Sequence, residues 1–118
     1  MRADFVAKNR VIHVTETTDL RAAGDISASR LKDIAVAAVT LDEAKRKFGP
    51  RTQRYFVYAG SASAEKQARG YLRAAEHHAE RVFNFASRND RASYLDHIYA
   101  ALRNDIAGVA RLRSARRR

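Results

Sequence analysis

YFVYAGSASAEKQARGYLRAAEHHAERVFNFA, residues 55–86, is the stretch on whose reading the fold turns. It opens on Tyr55-Phe56-Val57-Tyr58-Ala59 and closes on Arg81-Val82-Phe83-Asn84-Phe85-Ala86. Both ends are short, aromatic and apolar, as strands buried on two faces are. Between them, Ser61 and Ser63 offer N-caps for a helix over 64–79. Its apolar stripe is Ala64, Ala68, Tyr71, Leu72, Ala75 and Ala79, at helical spacing. Strand, helix and strand in so short a stretch predict a βαβ unit, hence a parallel pair with a right-handed crossover.

Toward the N-terminus, residues 4–20 read as a β-hairpin. Phe5-Val6 leads into Lys8-Asn9, whose Asn tolerates the positive φ of a tight turn. The return segment Val11–Thr18 is β-branched almost throughout and favours a strand. Residues 21–30 are small and turn-forming. A helix follows from near Ser29 to Val39, with Leu31, Ile34, Ala35 and Ala38 on one face. Thr40-Leu41-Asp42-Glu43 has the form of a capping box, which predicts a break near Thr40 and a second helix start. Lys45, Arg46 and Lys47 suit a last helical turn, and Gly49-Pro50 ends it.

The final helix, about 90–107, carries the stripe Leu95, Ile98, Tyr99, Leu102, Ile106 and Val109, with Ser93, His97 and Asn104 facing away. The element order is therefore ββαβαβα. The fold class is α/β, with α+β as the alternative, in one small domain over 1–110 that ends in a basic tail at 111–118.

The chain of 118 residues is long enough to bury a core without staples. It has no cysteine, which excludes a disulfide scaffold, thiolate metal sites and cysteine nucleophiles. The longest apolar run, Ile34 to Val39, is too short to span a membrane. Asp4 stands where a signal peptide would be basic and then apolar, so a cytoplasmic protein is expected. The net charge is +10, from 23 Lys and Arg against 13 Asp and Glu. Arg111, Arg113, Arg116, Arg117 and Arg118 supply half of that excess. A basic tail on a mildly basic body is the electrostatic footprint of a polyanion binder, and it supplies affinity rather than sequence choice. Genomic composition is the other source of so many arginines.

Asp4 and Glu16 form a candidate metal pair, because Mg²⁺ takes carboxylate and phosphate oxygens together. Hairpin register decides whether they share a face. A two-residue loop sets Asp4 against His13 and puts Glu16 on the opposite face; a three-residue loop sets Asp4 against Val14 and brings the two acids to one face. A solvated hairpin whose acids offset Arg2 and Arg10 is the alternative account.

With that hairpin, residues 4 to about 60 resemble the PD-(D/E)XK nuclease-like fold. Asp4 matches the motif Asp and Glu16 the motif Glu. Ala3 stands in place of the motif Pro and Thr18 in place of the motif Lys, and the family's first helix and strand have no counterpart before Asp4. Lys45 is the candidate for a lysine moved onto the following helix. In full form the resemblance implies Mg²⁺-dependent nuclease chemistry at Asp4, Glu16 and Lys45. In reduced form it implies a relative that binds nucleic acid without cleaving it.

Other candidates have structural accounts of their own. Gly60-Ser61-Ala62-Ser63 and Ser87-Arg88-Asn89-Asp90 could present amides to a phosphate at the sheet's carboxyl edge, but helix capping explains both serines. Lys66, Arg69, Arg73 and His77 could meet phosphates along one helix side. Glu65, Glu76 and Glu80 share that side, however, and Glu65 to Arg69 is a favourable i,i+4 pair, so a salt-laced solvent face is expected. Tyr55, Tyr58, Phe83 and Phe85 could stack on RNA bases, yet strands under helices bury such rings. His13 suits a hydrogen-bonded structural role, and adjacent His77 and His78 diverge too far to share a metal.

The function expected is non-catalytic nucleic-acid binding, with DNA or RNA as partner, the tail on phosphates and no cofactor. A Mg²⁺-dependent nuclease-like enzyme is one alternative. The other is a protein-interaction or assembly module, with a homo-oligomer or second protein as partner.

Overall fold

Strands β1 (Phe5–Lys8), β2 (Ile12–Asp19), β3 (Gln53–Ala59) and β4 (Arg81–Asn84) form one sheet in the order β1-β2-β3-β4. The computed structural model describes residues 5–8, 11–21 and 24–104. β1 runs antiparallel to β2, while β2, β3 and β4 are parallel. Two crossovers follow from this. Helix α1 (Ala28–Phe48) joins β2 to β3, and α2 (Ala62–Gln67) with α3 (Arg69–His77) joins β3 to β4. Helix α4 (Arg88–Asn104) follows β4. The expected parallel pair of β3 and β4 is present, and β2 extends it through a second βαβ connection that the sequence pattern did not announce.

Alternation along β3 separates two cores. Phe56 and Tyr58 join Val14 and Leu20 beneath Ile34, Ala38 and Leu41 of α1 and Ala64, Ala68, Leu72 and Ala75 of α2 and α3. Tyr55 and Val57 join Phe83 and Ile98 on the other face, with Tyr94 and Phe85 packed against them. Helices thus cover both sides of the parallel strands, which is why β3 reads as an unbroken apolar run.

The hairpin register differs from both loops considered above. Phe5 faces Thr15, Val6 faces Val14 and Lys8 faces Ile12, whereas those loops would set Phe5 against Ile12 or His13. Lys8 belongs to the ladder and not to the turn, so the connection lies beyond it and the pairing slides.

The break expected at Thr40 is absent. α1 is continuous from Ala28 to Phe48, and the Thr40 hydroxyl donates to the Val36 carbonyl at 3.1 Å instead of capping. Ile34, Ala37, Ala38, Leu41 and Ala44 form one buried stripe across the site, and its burial outweighs a local cap. The real cap is Ser27, whose side chain accepts from the Arg30 amide. Gly49 ends the helix at a φ of 99°, a conformation in which its missing Cβ matters.

The helix expected over 64–79 is split at Ala68. The apolar stripe carries across the split, except that Tyr71 is exposed. Helix α4 turns a different face to the sheet from the one its aliphatic spacing suggests. Leu95 and Tyr99 are exposed, while Ile98 is buried and Tyr94 and His97 lie against the rings of Tyr55 and Phe83. Aromatic bodies with polar tips fill the space over β3 and still reach partners.

Candidate functional site

Of the residues singled out for metal chemistry, Glu16 is buried on β2, opposite Phe56 in the parallel ladder and on the same face as Val14. Lys45 is exposed in the last turn of α1, where cations favour the helix carboxyl end. Asp4 lies outside the described residues. So do Arg111, Arg113, Arg116, Arg117 and Arg118. The described residues contain no group of three or more His, Cys, Asp or Glu able to hold a metal ion.

The serine loops behave as caps. Ser61 accepts from the Ala64 amide at 3.2 Å, and Ser87 accepts from the Asp90 amide at 3.3 Å. Tyr55, Tyr58 and Phe83 are buried beneath helices and offer no stacking surface. His13 places Nδ1 2.9 Å from the Tyr55 hydroxyl, with the two rings stacked. Burial, and then the neighbouring His97, lower its pKa from the ordinary 6.5. Burial also pushes the Tyr55 phenol up to about 12, helped by Tyr94 and Glu80. This cluster is a packed joint between the sheet and α4.

A centre that sequence patterning missed lies at the carboxyl edge of β3 and β4. Asn84 is buried and uses both ends of its amide. Its Oδ1 accepts from the amides of Gly60 (3.2 Å) and Ala86 (3.0 Å), and its Nδ2 donates to the Gly60 carbonyl (2.8 Å) and Glu65 Oε1 (2.9 Å). The Asn84 amide donates to Asp90 at 2.9 Å. Gly60 makes a close approach here: an added Cβ would meet the Cβ atoms of Ala64 at 3.2 Å and Leu20 at 3.3 Å, so those neighbours would have to give by a few tenths of an ångström. The available signal was a lone Asn inside an apolar strand, since a buried amide must find partners.

Tyr58 lines the same cleft as Glu65, and burial first, then the neighbouring Glu65, push its phenol well above its usual range. The Asn84 bond draws Glu65 to the sheet edge, and no ion pair joins it to Arg69. Glu80 is drawn the other way. Beyond the end of α3 it accepts from Arg54 Nη2 at 2.8 Å and from the Arg54 backbone amide at 2.6 Å, closing a bridge to a guanidinium that is 7% exposed. The expected salt-laced face is therefore undone. Among the described residues, Lys66, Arg69 and Arg73 have no acidic partner within ion-pair distance.

Those three cations, together with Tyr58, Glu65 and Glu76, line a cleft of about 430 Å³. Its lining carries both signs of charge, Glu65 and Glu76 beside Lys66, Arg69 and Arg73. A shallower cavity of about 260 Å³ beside Thr17 and Phe85 also has charged residues, Asp19 and Arg21, but they pair with each other at 2.9 Å. No helix among the described residues is long and apolar enough to cross a membrane. Comparison with protein-family models, curated proteins and solved structures finds no significant match.

Proposed function

We propose that the protein binds nucleic acid without cleaving it, contacting phosphates through Lys66, Arg69 and Arg73 on the body and through the arginines of the tail. The observation that supports this is the release of the three cations from ion pairing, as Glu65 and Glu80 turn to Asn84 and Arg54. Exposed cations beside a cleft, with no acidic partner among the described residues, are free to meet a phosphate chain. The net charge of +10 supports the same partner.

Fluorescence anisotropy of labelled single-stranded RNA and duplex DNA tests this, titrated with the full chain from about 50 to 200 mM salt. Binding with a steep salt slope is expected. The slope should flatten when Arg69 and Arg73 become Gln, and flatten separately when Arg111, Arg113, Arg116, Arg117 and Arg118 do. Binding insensitive to salt, or none at low salt, overturns the proposal. Cleavage on adding Mg²⁺ that disappears in Asp4→Ala and Glu16→Ala would replace it with the nuclease-like alternative.

A further inference from the structure

We propose that the cleft lined by Tyr58, Glu65, Lys66, Arg69, Arg73 and Glu76 is a pocket for one unpaired guanine nucleotide, its base against Glu65 and its phosphate against the arginines. The inference rests on the nucleic-acid reading and adds base choice to it.

The first ground is the mixed charge of the lining. Glu65 and Glu76 offer acceptors, Lys66, Arg69 and Arg73 offer cations, and a nucleotide carries both the donors and the negative charge to meet them. The volume of about 430 Å³ is large enough for one base with its sugar. Unpaired bases are read in this way, splayed out and bonded on their Watson–Crick edges.

The second ground is that Glu65 is held in place before any ligand arrives. Asn84 Nδ2 fixes Oε1 at 2.9 Å, and Tyr58 lines the cleft beside it. That one bond leaves further acceptor capacity on a carboxylate whose residue lines the cleft. Preorganised acceptors discriminate strongly, because they lose a partner when the wrong donor pattern is offered.

The third ground is the donor pattern itself. Guanine presents two adjacent N–H donors, N1–H and the 2-amino group, which match the two oxygens of one carboxylate. Adenine and cytosine set an acceptor nitrogen beside their amino group, where a carboxylate is repelled. Uracil sets its single N–H between two carbonyls. Arg69 and Arg73 would meet the phosphate as charge-assisted donors, with Lys66 beside them as a point charge.

The test uses the full chain and three probes: guanosine monophosphate, a uridine hexamer containing one guanosine, and the same hexamer with inosine replacing it. Inosine keeps N1–H and loses the 2-amino group. The guanosine hexamer is expected to bind about tenfold more tightly than a plain uridine hexamer, within the range for a bidentate base contact. Inosine should lose most of that gain on the unaltered protein, a result that no folding defect can imitate. Glu65→Gln should abolish the preference, so that the guanosine hexamer and the plain uridine hexamer bind alike in the variant.

Strands bound equally whatever the base would overturn the pocket proposal and leave the phosphate-binding function standing. Guanosine monophosphate bound with no strand bound would do the reverse: the pocket would take free nucleotide, and the nucleic-acid reading would fall. Binding of none of the probes removes both. A preference that survives Glu65→Gln and the inosine exchange removes the assignment of Glu65.

Discussion

Glu80 grips Arg54 twice, through the guanidinium at 2.8 Å and through the backbone amide at 2.6 Å, across the amino ends of β3 and β4. The Glu80 amide returns a bond of 2.8 Å to the Arg54 carbonyl. This double grip closes the α2–α3 crossover and removes an acid from the helix face that carries Lys66, Arg69 and Arg73.

Glu80→Ala leaves a buried guanidinium without a counter-charge, so it should destabilise by roughly 3 kcal/mol, the low end for breaking such a pair. Urea denaturation measures this through the midpoint, with an unchanged slope. Burial raises the Glu80 pKa, but the Arg54 bonds outweigh it and the net shift is downward from 4.5. Stability contributed by the pair is therefore present above about pH 4.5 and lost as pH falls through the lowered value. The Ala variant should lack that acid limb.

Asn84→Ala strands the Gly60 amide and carbonyl and the Ala86 amide, and a loss of at least about 2 kcal/mol is expected. Hydrogen exchange should show the Gly60 and Ala86 amides exposed first. Because Asn84 also holds Glu65, any base preference of the cleft should weaken in this variant while binding to plain phosphate chains persists.

His13 has a lowered pKa, so the folded protein resists its protonation. The sign follows directly: below about pH 6.5 the unfolded chain takes up the proton more readily, and stability falls as pH drops through the folded value. Thermal unfolding should show a lower midpoint at about pH 5 than at about pH 7.5. His13→Gln, which can keep a bond to Tyr55, should flatten that dependence between the two values; an equally steep profile in the variant would exclude His13 as its source.

Lys66, Arg69 and Arg73 are exposed and have no acidic partner among the described residues, so their replacement by Gln should leave the melting temperature within about 2 °C, as for other surface substitutions. Polyanion affinity should fall for every sequence alike, with the log–log salt slope reduced by about 0.7–0.9 for each phosphate no longer neutralised.

The orientation of α4 can be checked by contrast. Ile98→Ala should cost about 2–4 kcal/mol, as buried aliphatic truncations do. Leu95→Ser and Tyr99→Ser, on the exposed side, should change stability by no more than about 0.5 kcal/mol.

The succession of strands and crossovers (apart from the split of the second helix at Ala68), the parallel pairing of β3 with β4, the Ser61 cap and the burial of Tyr55 and Phe83 were legible in the chain itself. Each rests on near neighbours in sequence: periodicity, β-branching, a hydroxyl three residues before an amide. The continuity of α1 through Thr40, the sliding of β1 along β2 and the face that α4 presents were not legible. In each case distant residues overrode a local preference: a buried stripe in α1, an extended ladder in the hairpin, and the rings of β3 under Tyr94 and His97. The cleft belongs to the second kind most of all. Local spacing pairs Glu65 with Arg69 and places Glu80 among the cations, because along an isolated helix those are the nearest opposite charges. Only the folded sheet brings Asn84 to Glu65 and Arg54 to Glu80, where the partners are buried and the bonds stronger than any between solvated side chains. Sequence by itself determined that the protein has cations to spare; tertiary structure decided which of them stand free.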